Sequence, residues 1–168
     1  HTAASRGRVN VLPVLWSAIS FSGHLTVCNQ SGVKPLLLAA RFGHVECLRW
    51  FKEVLGCDAL SKADVYQGNR TRRITPMYLA ARHGHADAVA FFQGECGFTF
   101  SDDDISSLMF DACGRLPLTP CLKAVELALS LANCNPDTFR DANNSTPLMY
   151  AVGPANEFSL DILRLLVK

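Results

Sequence analysis

The chain contains one closely spaced pair of histidines, His83 and His85, with Gly84 between them. Two imidazoles at this spacing could begin a metal site, because the neutral ring nitrogen is a common metal ligand. One of them could instead act as a general base in a catalytic centre. Either role needs further donors or an orienting group nearby, so the rest of the sequence must decide between a chemical and a structural role.

A second candidate for chemistry is the run Asp102, Asp103 and Asp104, because carboxylates are the ligands that hard divalent cations prefer. Three consecutive side chains on a loop point in different directions, and the spaced ligands of a calcium-binding loop are missing. We therefore expect this run to form a solvated loop tip. We predict that the chain holds no metal and no cofactor.

Seven cysteines are scattered through the chain, and no two of them are separated by only two residues. The spacings of zinc knuckles and of thiol-redox motifs are therefore absent. Most of the cysteines lie beside apolar residues, where a free thiol packs as a small hydrophobe. This pattern predicts a reduced intracellular location, cytoplasmic or nuclear.

The sequence lacks the common motifs of catalysis. It contains no nucleophile elbow, no glycine-rich phosphate loop and no His-Glu-x-x-His motif. We predict that the chain is not an enzyme and takes no small-molecule substrate.

Length and composition are those of a well-packed domain. The chain has 168 residues, of which 49% are apolar and 18% are charged, and this balance excludes a disordered chain. The longest apolar run, Val11 to Phe21, is about half of the roughly 20 residues that a membrane span needs. The amino end does not lead into a signal-peptide cleavage site. We predict one soluble domain with no membrane insertion.

The histidine pair lies inside an internal repeat. "KPLLLAARFGHVECLRWF" (34–51) aligns with "TPMYLAARHGHADAVAFF" (75–92), so that the prolines, the Ala-Ala-Arg triplets and the Gly-His pairs coincide. Another copy begins at residues 145–152, and a degenerate one lies at residues 107–113. Repetition at this period indicates stacked supersecondary units.

The residue types in each copy predict a pair of antiparallel helices. Thr75 and Thr146 are good N-caps, and the proline after each fits the first helical position, where no amide donor is needed. The Ala-Ala pair lets a second helix lie close, and Gly43 and Gly84 can end the first helix in the left-handed conformation. The return helix has apolar residues at helical spacing. One such pair cannot bury its apolar face alone, so the copies must stack.

This pattern resembles the ankyrin repeat, which has a period of about 33 residues and the signature Thr-Pro-Leu-His-x-Ala. The resemblance covers roughly residues 22 to 168 and includes a lead-in at residues 141–148, where Asn144 takes the glycine position. It implies an all-α ankyrin-repeat solenoid of about four repeats after a partial helical start. It also implies that His44 and His85 are turn-capping residues of the repeat, so we predict no metal role for the histidine pair.

The copies predict a single domain over residues 1–168, divided at the repeats. The apolar stretch 11–21 predicts one helix, so we expect the chain to open on the second helix of a partial repeat. Neither end shows a polar cap, and we hypothesise that the chain is an excerpt of a longer repeat protein. The predicted segments are a partial repeat at 1–31, a repeat at 32–72, a repeat at 73–104, a degenerate repeat at 105–143 and a terminal partial repeat at 144–168.

Two departures from the family pattern affect the structure. The family has a histidine after Thr-Pro-Leu that ties neighbouring repeats, and this chain has in its place Leu37, Tyr78, Phe110 and Met149. The resemblance therefore implies a more hydrophobic seam between repeats. An extra segment, residues 61–73, lengthens the loop before the second full copy.

In the resembling family, partners contact the loop tips and the exposed end of each first helix. Carried over to the matching positions, the resemblance implies a partner-binding surface drawn from three copies. The residues of this implied surface are Arg41, Phe42, Arg70, Arg72, Arg73, Ile74, Arg82, His83, Asp103 and Asp104.

Charge is distributed unevenly along the sequence. Residues 1–84 contain 11 Lys and Arg against 4 Asp and Glu, a balance of +7. Residues 85–168 contain 5 against 11, a balance of −6. Such a gradient would fit a partner with the opposite gradient, and the alternative is that exposed loops carry charge only for solubility.

Function is therefore expected to lie in binding another protein, or another domain of the chain's own longer protein. The first alternative is a regulatory ankyrin segment of a larger enzyme or channel. The second alternative is nucleic-acid binding through the basic loop, and the net charge of +1 and the acidic half count against it.

Overall fold

The computed structural model describes residues 1–18, 28–30, 33–61, 65–67, 70–72, 74–114, 121–132, 136–152 and 159–167. These residues form helices, one short 3₁₀ helix and two short strands. In chain order they are α1 (Thr2–Ser5), α2 (Val11–Ala18), α3 (Pro35–Arg41), α4 (Val45–Leu55), α5 (Cys57–Ser61), β1 (Val65–Gln67), β2 (Arg70–Arg72), α6 (Pro76–Arg82), α7 (Ala86–Cys96), α8 (Asp102–Ala112), α9 (Leu122–Leu131), the 3₁₀ helix (Pro136–Thr138), α10 (Pro147–Ala151) and α11 (Ser159–Leu166).

Contacts between residues divide the chain into two compact units. The first unit comprises His1–Ala80 and Asp87–Phe98, and the second comprises Ala81–Ala86 and Thr99–Lys168. The single domain with five segments, expected from the sequence, stays a prediction.

In the first unit, α3 and α4 form the predicted helix pair. Gly43, at φ +69°, turns the chain between them, as its place after the Ala-Ala-Arg triplet predicts. Ala39 and Ala40 are fully buried, and their small side chains allow α4 to pack closely against α3. Phe51 of α4 is also fully buried, and burying a side chain of this size contributes about 2 kcal/mol to stability.

Helices α6 and α7 repeat the arrangement. The Oγ1 atom of Thr75 accepts a hydrogen bond from the backbone N–H of Tyr78 at 3.1 Å, so the predicted N-cap is confirmed. Pro76 is the first residue of α6, where its missing N–H costs nothing. Gly84, at φ +73°, connects α6 to α7 in the left-handed conformation that the sequence predicts.

The same turn occurs a third time near the amino end. The backbone amides of Gly7 and Arg8 donate to carbonyl oxygens three and five residues earlier, at 3.4 and 3.0 Å. Gly43 and His44 repeat both hydrogen bonds, at 3.2 and 2.9 Å. Helix α1 is therefore the end of a first helix and packs against α3. The expectation that the chain opens on a second helix is wrong, because residues 1–9 belong to the helix and turn that precede it.

Helix α2 is the return helix that the apolar stretch 11–21 predicts. It spans Val11–Ala18, and the rest of that stretch lies outside the described residues. Leu12 is buried, whereas Val14 is 64% exposed.

The lead-in loops of two copies share one hydrogen-bonded design. The Oδ1 atom of Asn29 accepts the backbone N–H of Val33, and the Oδ1 atom of Asp141 accepts that of Ser145, each at 2.9 Å. Asn29 thus takes the place of the aspartate in this loop. Asn144 has φ +59°, which confirms that it occupies the glycine position of the lead-in, since asparagine tolerates the left-handed region better than most residues.

The degenerate copy begins earlier than its sequence predicts. Helix α8 starts at Asp102, six residues before the leucine that aligns with the prolines of the other copies. Ser101 is the N-cap: its Oγ accepts the N–H of Asp104 at 3.1 Å, and the Asp104 carboxylate accepts the N–H of Ser101 at 3.2 Å. The expectation of a loop tip at Asp102–Asp104 is therefore wrong, because these residues form the first turn of a helix, where negative charge is stabilising.

The long loop before α6 contains a β-hairpin. Strands β1 and β2 pair antiparallel, with Val65 opposite Arg72, Tyr66 opposite Thr71 and Gln67 opposite Arg70. This hairpin is a short addition to an otherwise helical chain, and the sequence predicted only a longer loop.

In the second unit, α9 packs against α8 and α11, and α10 packs against α8 and α11. The N-cap predicted at Thr146 is confirmed, because its Oγ1 accepts the N–H of Met149 at 3.3 Å. Tyr150 meets the ring of Phe110 edge to face, at a centroid distance of 5.8 Å. Its hydroxyl donates to Asp141 Oδ2 at 2.6 Å, which ties α10 to the lead-in loop.

Three of the four positions expected to form a hydrophobic seam between copies are buried, namely Leu37, Tyr78 and Phe110. Met149 is 64% exposed, so the expectation does not hold for the last copy.

The Gly84 turn offers a test of this packing. A Cβ atom on Gly84 would lie 2.5 Å from the Cβ of Lys123 and 3.2 Å from the backbone nitrogen of Ala124. We expect Gly84→Ala to lower the free energy of unfolding by about 3 kcal/mol, from left-handed strain plus displacement of α9, measured by denaturant unfolding.

Gly97 is a matched control. It follows α7 with φ +70°, and a Cβ atom there would meet nothing within 4 Å. Gly97→Ala therefore carries only the left-handed strain, about 1 kcal/mol. Equal losses for the two variants would contradict the close packing of the Gly84 turn on α9.

Candidate partner-binding surface

Two of the expected partner-binding residues meet at the exposed end of α3. Phe42 follows α3, and its side chain is 47% exposed. Its ring stacks on the ring of His44 with 6.3 Å between centroids and 28° between planes. The guanidinium carbon of Arg41 lies 5.6 Å from the Phe42 centroid, within the range of a cation–π interaction. Arg41, Phe42 and His44 thus form one cluster, the Phe42 stack.

His44 attaches this stack to the turn of the preceding copy. Its Nε2–H donates to the carbonyl oxygen of Ser5 at 3.0 Å. A Cβ atom on Gly7 would lie 2.7 Å from His44 Nδ1, so the imidazole occupies space that any side chain at position 7 would need. His44 makes no side-chain cap hydrogen bond to α4. His44 holds the N-cap position of α4, as expected of a turn-capping residue, but its side chain links two copies instead of capping the helix.

Two exposed arginines beside this contact were missed from the sequence. Arg6 and Arg8 flank Gly7. The motif Ala-Ala-x-x-Gly-x-Val, shared by residues 3–9 and 39–45, could have found them. In that alignment Arg6 takes the position of Phe42, and Arg8 takes the position of His44.

The expected surface around the hairpin is only partly described. Arg70 and Arg72 lie on strand β2, with their side chains outside the described part of the chain, and Arg73 lies outside it altogether. Ile74 is 3% exposed. The expectation that Ile74 faces a partner is wrong, since its apolar side chain is buried just before the Thr75 cap.

Arg82 is also buried, contrary to expectation. It is 5% exposed, and its Nε lies 3.9 Å from Oδ2 of Asp111, which is itself buried. The turn hydrogen bonds from Gly84 to Ala81 and from Gly114 to Asp111 place Asp111 where the copy before it has Ala81. This pair was not predicted, because analogy with Arg41 placed Arg82 on the surface. A buried guanidinium needs a compensating carboxylate, which the aspartate at this position supplies.

His83 and His85 are half-buried and stack on each other across Gly84, with 6.5 Å between ring centroids and 23° between planes. Phe42 and His44 stack in the same way across Gly43. The spacing that suggested a metal site is thus the spacing of two rings around a repeat turn.

The two acidic members of the expected surface lie in the first turn of α8. Asp103 is exposed, and Asp104 is half-buried. The carboxylate of Asp104 also accepts a hydrogen bond from the hydroxyl of Ser101 at 2.8 Å, so its oxygens serve the helix cap. Only Asp103 keeps the exposed position that was expected.

The other described charges of the first unit include a network on α4 and α7. Arg49 bonds Glu46 at 2.6 Å and Glu95 at 2.9 Å, and Lys52 lies 3.4 Å from Glu95. The hydrogen bond from Arg49 holds the pKa of Glu95 below its ordinary value. Both acidic groups are engaged by cations of α4: Glu46 by Arg49 of its own helix, and Glu95 of α7 by Arg49 and Lys52.

Two of the described thiols, those of Cys96 and Cys113, are poorly suited to nucleophilic chemistry. Cys28, Cys47, Cys57, Cys96, Cys113 and Cys121 are free cysteines, and Cys134 lies outside the described residues. Burial raises the pKa of Cys113 to about 12. Burial and the neighbouring Cys57 raise the pKa of Cys96 to about 11. Such thiols stay protonated at neutral pH, whereas the thiolate is the nucleophile.

Within the described ranges, no group of three or more His, Cys, Asp and Glu side chains is placed to hold a metal ion. The absence of a metal and of a cofactor stays a prediction. Over the same ranges, no helix combines the length and the apolarity that crossing a membrane requires.

Comparison with solved structures identifies the architecture. The chain is similar to the ankyrin repeat domain of human ASB11, with a TM-score of 0.61 and 24% sequence identity. The similarity covers 99% of this chain and 66% of that domain. The chain has an ankyrin-repeat fold. The all-α class and the repeat type expected from the sequence are thereby confirmed.

Comparisons of sequence alone find less. No protein-family model matches the chain, and no curated protein matches it. Ankyrin folds serve many unrelated tasks, so the fold by itself does not assign one.

The buried pair Arg82 and Asp111 can be tested against a matched arginine. We expect Asp111→Ala to lower the free energy of unfolding by about 3 kcal/mol or more, because it leaves a buried guanidinium without its carboxylate. The double variant Arg82→Met with Asp111→Leu should lose much less than the sum of the single changes, measured as a double-mutant cycle by denaturant unfolding.

Arg41 provides the control, because it holds the same position in the preceding copy and is exposed. Arg41→Ala should change the free energy of unfolding by only about 0.5 kcal/mol. Additive losses at Arg82 and Asp111, or a similar loss at Arg41, would show that the buried pair is not coupled.

Proposed function

We propose that this chain binds another protein, or another domain of its own longer protein, and acts by binding without catalysing a reaction. The observation that carries the proposal is the Phe42 stack. A large aromatic ring stays half-exposed although it is held in place by stacking on His44 and by Arg41. Aromatic and arginine side chains are the residues that most often dominate binding energy at protein interfaces.

The stack is preorganised, which reduces the cost of binding. The hydrogen bond from His44 to Ser5 and the fixed left-handed turn at Gly43 limit the rotamers that Phe42 and its neighbours can adopt. Ordering a side chain on binding costs about 0.5–1.5 kcal/mol, and a ring that is already fixed avoids most of that cost.

We propose two further sets of binding residues, one in each unit. In the first unit these are Arg70, Arg72 and Arg73 of the basic hairpin and the residue after it. In the second unit they are His83 and Asp103. Ile74 and Arg82 are omitted, since both are buried.

The regulatory alternative is a special case of this proposal. If the chain is part of a larger enzyme or channel, the partner is a domain of the same protein, and the same surface is used. We also propose an intracellular location, which the free thiols at the described cysteines support.

Affinity capture with wild-type chain and with Phe42→Ala tests the proposal. We expect the variant to lose the specific partner, with an affinity about tenfold weaker or more in calorimetry with the purified partner, because truncation removes a central aromatic contact. Leu160→Ala is the control, since Leu160 is an exposed apolar residue (66%) on α11. Equal binding by wild type and Phe42→Ala would overturn the assignment of this surface.

The basic hairpin distinguishes protein from nucleic acid. Changing Arg70, Arg72 and Arg73 to Glu is expected to leave the melting temperature nearly unchanged and to slow association with an acidic partner, because attraction becomes repulsion. Fluorescence titration with a duplex oligonucleotide at two ionic strengths provides the second arm. Tight binding of the oligonucleotide that falls steeply with salt and is lost in the triple variant would favour the nucleic-acid alternative.

A further inference from the structure

The first turn of the chain and the turn at Gly43 place their residues in equivalent positions. Arg6 follows α1 with φ −106° and ψ 8°, and Phe42 follows α3 with φ −102° and ψ 6°. The glycine after each residue is left-handed, at φ +64° and +69°. Because α1 packs against α3 and the two positions are equivalent, the backbones of Arg6 and Phe42 are expected to lie about one interaxial distance apart, roughly 8–10 Å.

These turns make a continuous strip on the first unit. The hydrogen bond from His44 to Ser5 joins the two turns, and the His44 ring lies against Gly7 between Arg6 and Arg8. Phe42 stacks on His44, and the Arg41 guanidinium lies over Phe42. The strip therefore presents a half-exposed aromatic ring with the exposed Arg6 and Arg8 on the neighbouring turn.

Arg6 and Arg8 of this strip are not matched by described carboxylates. Both are exposed, and neither forms an ion pair with any residue in the described part of the chain. In the same unit, Glu46 and Glu95 are bonded to Arg49 and Lys52. The guanidinium groups of Arg6 and Arg8 are therefore available to carboxylates of another molecule.

We propose that this strip, formed by Arg6, Arg8, Arg41, Phe42 and His44, binds an acidic segment of a protein partner that also carries an apolar side chain. The apolar side chain packs on the ring of Phe42, and carboxylates pair with the guanidinium groups of Arg6 and Arg8. The inference rests on the proposed binding function and specifies the chemistry of the partner. The aromatic centre favours a peptide over a nucleic acid, since Phe42 is the one exposed ring of the described strip and the His44 ring is engaged by Phe42, Ser5 and Gly7.

The geometry also sets a spacing. An extended peptide advances roughly 3.3 Å per residue, so the 8–10 Å between Arg6 and Phe42 corresponds to about three residues. The favoured ligand therefore has an acidic residue about three positions from its apolar residue.

The test uses the full 168-residue chain and three labelled peptides of about twelve residues on a glycine-serine background. The first peptide has Glu three residues before and three residues after a central Leu. The second has the same composition with both Glu next to Leu, and the third has Gln in place of Glu. Fluorescence anisotropy at low salt measures the dissociation constants.

We expect the first peptide to bind about fivefold or more tightly than the other two, because only it matches both charge and spacing. The double variant Arg6→Gln with Arg8→Gln, and separately Phe42→Ala, should each weaken its binding about fivefold or more. Arg140→Gln with Arg164→Gln removes the same charge from exposed residues of the second unit and should leave the dissociation constant unchanged. Thermal unfolding confirms that all variants are folded.

Three results would overturn the inference. They are the absence of measurable binding of the first peptide, equal weakening by the control pair, and full binding by Phe42→Ala. Either of the last two results would show that the peptide responds to the overall charge of the chain and not to this strip. The proposed function can survive each of them. A partner recovered by affinity capture that needs Phe42 but is unaffected by Arg6→Gln with Arg8→Gln would keep the protein-binding role and reject the acidic segment.

Discussion

The described turns depend on one kind of contact, in which a group of the next copy packs directly against a glycine in the left-handed conformation. At Gly7 the neighbouring group is the imidazole of His44, and at Gly84 it is the Cβ of Lys123 with the backbone behind it. In both places a Cβ atom would lie closer than van der Waals contact permits, so position and conformation both require glycine. The close approach of successive copies follows from this requirement. Buried alanine pairs such as Ala39 and Ala40 meet the same requirement within a copy.

Because the backbone of the turn is fixed, variation is confined to the side chains on either side of the glycine. The residue before it is Arg6, Phe42 or His83, and each occupies a position set by the same hydrogen-bonded turn. The backbone of the turn therefore determines where the side chain before the glycine lies, and the residue type determines what that side chain can contact. This separation explains why a repeat protein with no catalytic motif can still present a specific surface, and why a histidine pair at the turn implies no metal chemistry.

Features governed by local physics could be predicted from the sequence. The cap at Thr75, the proline after it and the left-handed Gly84 depend on neighbours within four residues, and all three are confirmed. Asn144 belongs to the same class, because its conformation follows from the lead-in loop. The fold class could be predicted for the same reason, since repetition of local signals identifies the architecture.

Features that depend on a tertiary neighbour could not be predicted in the same way. Arg41 and Arg82 stand at identical positions in their copies, yet Arg41 is exposed and Arg82 is buried. They differ because the copy that follows Arg82 supplies the carboxylate of Asp111 as a buried partner. The capping box of α8 was readable as Ser101 followed three residues later by Asp104, but alignment with the prolines placed the helix start too late. Analogy with the ankyrin family predicted which positions lie on the surface, but the packing of neighbouring copies determines which of those side chains are exposed.

The buried contact between Arg82 and Asp111 also restricts how this sequence can diverge. If the aspartate is replaced first, the protein keeps an isolated buried guanidinium, and if the arginine is replaced first, it keeps an isolated buried carboxylate. The loss of stability is smallest when both residues are replaced together, or when one is first replaced by a smaller polar residue. Exchanging or deleting only one of these two repeats would therefore leave one member of the pair buried without the other.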